Sequence, residues 1–324
     1  MLKGSVKRLL FLLFLSVSLL LLAFWLFPSF SDSFDALVGA PLRGRLSSYS
    51  SLTALSLTEL LLILLPVLLL LLLILSVRAR HPSRLLALLL SFLLLLFGVY
   101  TLTFAAGAHR TPLAARLGLS PTEPTAEELS ACAEWLLLLA SQGGSAPSEE
   151  ETVTRLRAAF SAVGKEYGLP VNTAARPKRT LTPLLSRLGY FGLYAFPLGE
   201  VTVASDCQGA VGTFTLAHEL AHASGFSREA EADLLAFLVC LDSGDPYLVY
   251  AGAAGMLGRL LTALHKEAPA LWQSTSEGLS PSARRDLLES GEAYERGTAP
   301  TEAPPELSYS ETVILLCALY RARK

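Results

Sequence analysis

Hydrophobic positions are spread unevenly along the chain. Three runs in the first third, Leu9–Phe34, Leu60–Val77 and Leu85–Ala108, carry almost no charge. A helix needs about 20 mostly apolar residues to cross the hydrocarbon core of a bilayer. The runs therefore predict three transmembrane helices, at about 9–29, 57–77 and 85–107, the second extended past Glu59 by Leu57 and Thr58. The first run could instead be a signal peptide, with Lys3, Lys7 and Arg8 as its basic head. It is long for that role, and "FWLFPSFSDS" has no small-x-small cleavage site, so an uncleaved anchor is expected.

Beyond residue 107 the pattern turns amphipathic. Leu129, Cys132, Trp135, Leu136 and Leu139 recur at helical spacing after Thr125, a plausible N-cap, and Gly143 and Gly144 end that helix. A second helix is expected at about Ser148–Tyr167, closed by Gly168 and Pro170. The basic run Arg176–Arg179 reads as a solvated loop. Val201, Val203 and Ser205 alternate with Thr202 and Ala204, as in a half-buried strand. Helices follow at Phe214–Ser224, capped by Thr213 and ended by Gly225, and at about Arg228–Leu241, capped by Ser227. A further amphipathic helix spans about Pro246–Lys266, where Arg259 argues against a fourth crossing. "GTAPTEAPPE" reads as a surface loop, and "YSETVILLCALYRARK" as a closing helix.

Composition agrees. The chain has 324 residues, 52% of them hydrophobic, and a net charge of −2, so nothing suggests a nucleic-acid partner. Its mean hydropathy is +0.48. Basic residues set the orientation. Lys3, Lys7 and Arg8 precede the first apolar helix, and Arg78, Arg80 and Arg84 fill the loop between the second and third. In Pro28–Ser56, Asp32 and Asp35 balance Arg43 and Arg45. A cytoplasmic N-terminus and three crossings make 1–107 a membrane domain and place 108–324 outside the cytoplasm. A cytoplasmic site would require export of the arginine loop. Cys132, Cys207, Cys240 and Cys317 form no CxxC pair, so a cysteine zinc site is not expected. Disulfides among them could form in three pairings, although Cys240 and Cys317 sit in apolar runs as buried thiols would.

The chemistry concentrates in "TLAHELAHASGFSREAEADLLAF". Residues four apart share a helix face, so His218 and His222 aim two imidazoles at one point. Glu219 reaches the edge of that point, where it can take a proton from a zinc-bound water. A hydrolytic zinc site needs a third protein ligand and an open position. Glu229 is favoured as that ligand, with Asp233, four residues on, accepting the outer N–H of a ligand histidine. Glu231 is the alternative, but it lies about 200° around the helix from Glu229. Gly225 would let the chain reverse. His81, His109 and His265 read as non-ligands. Tyr190, Tyr194, Tyr247 and Tyr250 are equal candidates for oxyanion stabilisation.

The His-Glu-x-x-His motif followed by Glu229 and Asp233 resembles the gluzincin branch of zinc peptidases, with a short spacer. Arg228 stands where a metzincin would place its third histidine. More specifically, "HRTPLAARLGL", "GYFGLYAFPLGEVTV", "FTLAHELAHASGFSREAEADLLAFLVCLDSGDPY" and "YSETVILLCALYR" resemble a bacterial membrane-protein family known as domain of unknown function 3810. That family is grouped with the zincin-type peptidases and commonly has Asn at the position of Asp233; either residue can accept the bond.

The resemblance implies a zinc-dependent peptidase in the bacterial cell membrane, with one Zn2+ ion and a peptide or protein substrate. The implied fold is mainly α: three transmembrane helices, then a mostly helical α+β zincin-like domain with a small edge sheet. By analogy with zincins, Glu200, Val201, Thr202 and Val203 would form an edge strand that pairs with substrate; an internal strand with a solvated Glu200 is the other reading. A non-catalytic zinc-binding membrane sensor or scaffold is the rival function, which would have no use for a general base at Glu219.

Overall fold

A computed structural model describes residues 4–78, 82–141, 143–267, 269–277 and 310–324. The expected loop "GTAPTEAPPE", Lys3, Arg80 and His81 lie outside the described residues. Helix α1 (Gly4–Leu26) ends at Phe27, which leaves helical geometry, and Pro28 starts α2 (Pro28–Phe34). The run Leu9–Phe34 is thus two helices, because proline suits a helix's first turn and not its interior. A π-helical turn (Asp35–Gly39) leads into α3 (Ala40–Ser50). Two long apolar helices follow, α4 (Leu57–Arg78) and α5 (Pro82–Thr103). Three helices, α1, α4 and α5, are long and apolar enough to cross a membrane, and their leucines face outward.

A short 3-10 turn (Ala105–Ala108) and α6 (Leu113–Arg116) connect to α7 (Ala126–Ser141) and α8 (Glu149–Glu166). Thr125 and Glu128 form a reciprocal cap on α7, Thr125 Oγ1 accepting from the Glu128 amide at 3.3 Å and Glu128 Oε2 from the Thr125 amide at 3.0 Å. Ser148 caps α8. Then come β1 (Lys178–Arg179), α9 (Leu184–Arg187), β2 (Gly192–Ala195) and β3 (Glu200–Val203). The chain continues through α10 (Gly209–Ala223), α11 (Glu229–Asp242), α12 (Pro246–Glu267), α13 (Pro269–Glu277) and α14 (Glu311–Arg323). Helix α11 is buried on every face from Ala230 to Cys240, so it is the axis around which α8, α10, α12 and α14 pack. All four cysteines are buried free thiols.

Several expectations change. Helix α10 begins at Gly209, so Thr213 is interior and its hydroxyl donates back to the Gly209 carbonyl. Helix α11 begins at Glu229 without a side-chain cap, and the Ser227 hydroxyl is buried without a partner among the described residues. The sheet order is β1–β3–β2, with β3 parallel to β1 and antiparallel to β2. Glu200, Val201, Thr202 and Val203 are therefore the central strand, buried on both faces, and the edge beside the site helix is β2.

Nor is Glu200 solvated. Its carboxylate pairs with Lys178 Nζ (2.6 Å) and accepts the first free amides of α4, Leu57 (3.1 Å) and Thr58 (2.8 Å). An acid at a helix N-terminus satisfies amides that have no partner within the helix. The same contact overturns the solvated reading of Arg176–Arg179, since Lys178 is buried and donates also to the Ser50 and Leu55 carbonyls. Arg176 does face solvent.

Candidate metal centre

Helix α10 places His218 and His222 on one face, one turn apart. The helix closes with paired bonds, Gly225 N–H to the His222 carbonyl (2.8 Å) and Phe226 N–H to the Ala221 carbonyl (3.1 Å). Gly225 takes φ +93°, and a Cβ there would stand 2.3 Å from the Arg43 guanidinium, so glycine is required twice over. This turn brings α11 back across α10, and Glu229 in its first turn meets the two histidines.

Three donor atoms converge. His218 Nε2 is 3.0 Å from His222 Nε2 and 3.1 Å from Glu229 Oε2, and His222 Nε2 is 3.5 Å from Glu229 Oε1. Both rings are fixed from behind. His222 Nδ1 donates to the Phe226 carbonyl (2.7 Å), an atom that can only accept. His218 Nδ1 donates to Asp233 Oδ1 (2.9 Å), while Asp233 Oδ2 takes Arg259 Nε (2.9 Å) and the Thr312 hydroxyl (3.2 Å). Burial pushes Asp233 up, but Arg259 and His218 together hold it below its usual value. The inner nitrogens thus face each other with their lone-pair sides.

Such a cluster needs positive charge at its centre. Burial pulls His218 down, yet its bonds to Asp233 and Glu229 push it up to about 10. Surrounding protein partly desolvates Glu229 and would raise it, although its side chain stays open to solvent; bonds to both histidines hold it well below the usual carboxylate range. A tetrahedral zinc ion with bonds of about 2.0–2.2 Å has ligand–ligand edges of about 3.3–3.6 Å. The observed edges fit that ion with small adjustment, and Glu229, with 79% of its side chain exposed, leaves the outer side open.

Glu219 stands beside the cluster and is only 7% exposed. Burial raises its pKa, offset in part by the two histidines and by the Tyr194 amide that donates to it. Strand β2 lies directly against it: a Cβ on Gly192 would stand 2.6 Å from Glu219 Cγ. Glu231 points elsewhere, accepting from the Leu113 amide (2.9 Å) near Arg228 (3.6 Å). Of the two glutamates, Glu229 is the one that joins the histidines.

The tyrosines separate as well. The Tyr247 hydroxyl is 3.3 Å from Thr213 Oγ1, the Tyr250 ring packs on Gly143, and Tyr190 is exposed. The Tyr194 hydroxyl is buried without a partner among the described residues, and burial pushes it up to about 12. Tyr194 serves the site through its backbone amide. His109 lies near Arg228, and the His265 ring meets Trp272 edge to face; neither belongs to the converging group.

Behind the site is a charged network with no motif to announce it. Asp35, in the π-helical turn, takes Arg43 Nη1 (2.6 Å) and Nη2 (3.1 Å) and Arg110 Nη1 (2.7 Å), all three residues being buried. Arg43 also donates to the Thr103 (2.7 Å) and Ser224 (3.2 Å) carbonyls. Arg110 lies 4.3 Å over the Phe226 ring. The network therefore holds the 224–226 turn, whose Phe226 carbonyl fixes His222. Arg259 was legible only as a charge in an amphipathic helix, and Thr312 carried no signal.

The family model described as "Protein of unknown function (DUF3810)" matches residues 40–311, and the chain belongs to that family. No curated protein and no solved structure gives a significant match.

Proposed function

We propose that this protein is a membrane-anchored zinc peptidase. The observation that carries the reading is the pair of imidazoles with both outer nitrogens fixed, converging with Glu229 beside the buried acid Glu219. His218, His222 and Glu229 would hold the ion. Zinc supplies Lewis acidity there, polarising a peptide carbonyl and acidifying water toward neutral pH. Glu219 accepts the proton of the attacking water and passes it to the leaving amine. A carboxylate raised by burial suits both halves of that transfer. Asp233 and Arg259 keep His218 in the tautomer that presents Nε2.

Strand β2 supplies the bench for substrate. The Ala204 amide bonds to the Phe191 carbonyl (2.8 Å), and alternation along an antiparallel ladder turns Gly192 and Tyr194 toward the free edge. An extended peptide added there would lie next to Glu219. Gly192→Ala is expected to push Glu219 aside and lower hydrolysis by about tenfold to a hundredfold with zinc content unchanged. Turnover equal to wild type would show that the contact does not position Glu219.

The basic ends of α1 and α4 lie opposite the site-bearing ends Leu26, Leu57 and Thr103. With α1, α4 and α5 crossing the bilayer, the basic residues belong in the cytoplasm and the site outside it. The test of the function is hydrolysis of an unfolded polypeptide by the zinc-loaded chain, set beside the Glu219→Gln variant.

A further inference from the structure

The site is bound directly to the ends of the apolar helices. Phe104 is the first residue after α5, and its ring centroid is 6.0 Å from His222 and 5.8 Å from Tyr194. Arg43 ties the Thr103 carbonyl to the turn after the histidines, and Glu200 ties β3 to the first amides of α4. No stalk separates chemistry from bilayer.

The edge strand descends toward the same level. Tyr100 lies nearly one turn inside the end of α5, about 4.5 Å below it. Its ring meets Phe196, just past the end of β2, at 5.4 Å. Strand rise is about 3.3 Å per residue, so Phe196 lies about 7 Å beyond Tyr194 and about 13 Å beyond Gly192. A peptide paired with β2 beside Glu219 would reach the depth of the helix end within about four residues.

The surroundings fit a lipid surface. Glu59, in the first turn of α4, accepts from the Leu181 (2.6 Å) and Thr182 (2.9 Å) amides and from the Thr182 hydroxyl (2.6 Å). This holds the 181–190 segment at the mouth of that helix. Leu52 and Leu55, just before α4, and Leu181, Leu188 and Tyr190 in the segment that Glu59 anchors are all more than half exposed, and Arg187, next to Leu188 in the chain, is exposed too. Exposed apolar side chains with a neighbouring arginine, on segments tied to the start of an apolar helix, match the interface of an anionic bilayer.

We propose that the site works at the bilayer surface and that its substrates are membrane-held polypeptides, cut within a few residues of where they leave the lipid. This substrate class rests on the peptidase reading. The full chain, zinc-loaded, would be placed in phosphatidylethanolamine–phosphatidylglycerol vesicles with one unstructured peptide in three forms. These are the free peptide, the peptide with a palmitoyl anchor, and the anchored peptide with about ten residues inserted before the anchor.

Tethering alone raises local concentration by a large factor, so cut position is the readout and rate is not. Cuts within about five residues of the anchor, moving with it when the spacer is inserted, are expected. Cuts at the same sequence positions in free and anchored peptides would keep the peptidase and overturn the membrane-held substrate. No cleavage of any form would remove the peptidase reading and this inference with it.

An activity-independent measurement separates the two failures. Leu181→Cys and Leu188→Cys chains, whose four native cysteines are buried, would carry a fluorophore facing headgroup-quencher lipids. Quenching at both positions is expected. Unquenched labels would put the rim in water and overturn the inference whatever the cleavage result.

Discussion

Replacing Glu219 with glutamine is expected to lower peptide hydrolysis by about 10²–10⁴-fold while zinc content stays at the wild-type level. The substitution keeps the shape of the side chain and leaves an amide oxygen to accept from the Tyr194 N–H. What it removes is the ability to take a proton. The site has no ready substitute: Glu229 is committed to both histidines, Asp233 to His218, Arg259 and Thr312, and Glu231 to the Leu113 amide. The proposed zinc donors do not include Glu219, so the metal should remain. Turnover in Glu219→Gln close to wild type would contradict the proton-transfer role. Loss of zinc in that variant would mean that Glu219 holds the fold of the site.

Asp35→Asn is expected to destabilise the chain by about 3–5 kcal/mol, because removing one partner of a buried ion pair leaves the other charge uncompensated. Here two guanidiniums, Arg43 and Arg110, share that one carboxylate, and neither reaches solvent. The damage should extend to the metal centre. Arg43 grips the Ser224 carbonyl and packs where a Gly225 Cβ would be, and Arg110 covers Phe226, whose carbonyl fixes His222. A lower melting temperature in detergent together with weaker zinc retention is the expected pair of results. Unchanged melting would show that the two arginines find other acceptors. Lower melting with full zinc retention would separate the network from the site.

The main elements were legible because they rest on short-range patterns. The apolar runs at 57–77 and 85–107, the N-cap at Thr125, and the spacing of His218, Glu219 and His222 each depend on residues close together in the chain. What escaped depends on distant partners. Glu200 looked like a strand-edge acid because nothing nearby shows that Lys178 and the α4 amides neutralise it. The order β1–β3–β2 puts the later strand in the middle, and no alternation in Val201–Ser205 reports its neighbours. Asp35 and Arg43 read as part of a local charge balance and Arg110 carried no signal, although the three assemble across 75 residues into the support of the His222 turn. In the same way, Arg259 and Thr312 reach Asp233 only through the packing of α12 and α14 against α11.

His218, His222 and Glu229 are proposed to form one zinc site. Its most direct test is the zinc content of the purified full chain, wild type beside His222→Ala, Glu229→Ala and Glu231→Ala. About one zinc per chain is expected in wild type and Glu231→Ala, with loss in His222→Ala and Glu229→Ala. Zinc retained in Glu229→Ala and lost in Glu231→Ala would contradict the ligand set, and no zinc in folded wild type would contradict the metal centre itself.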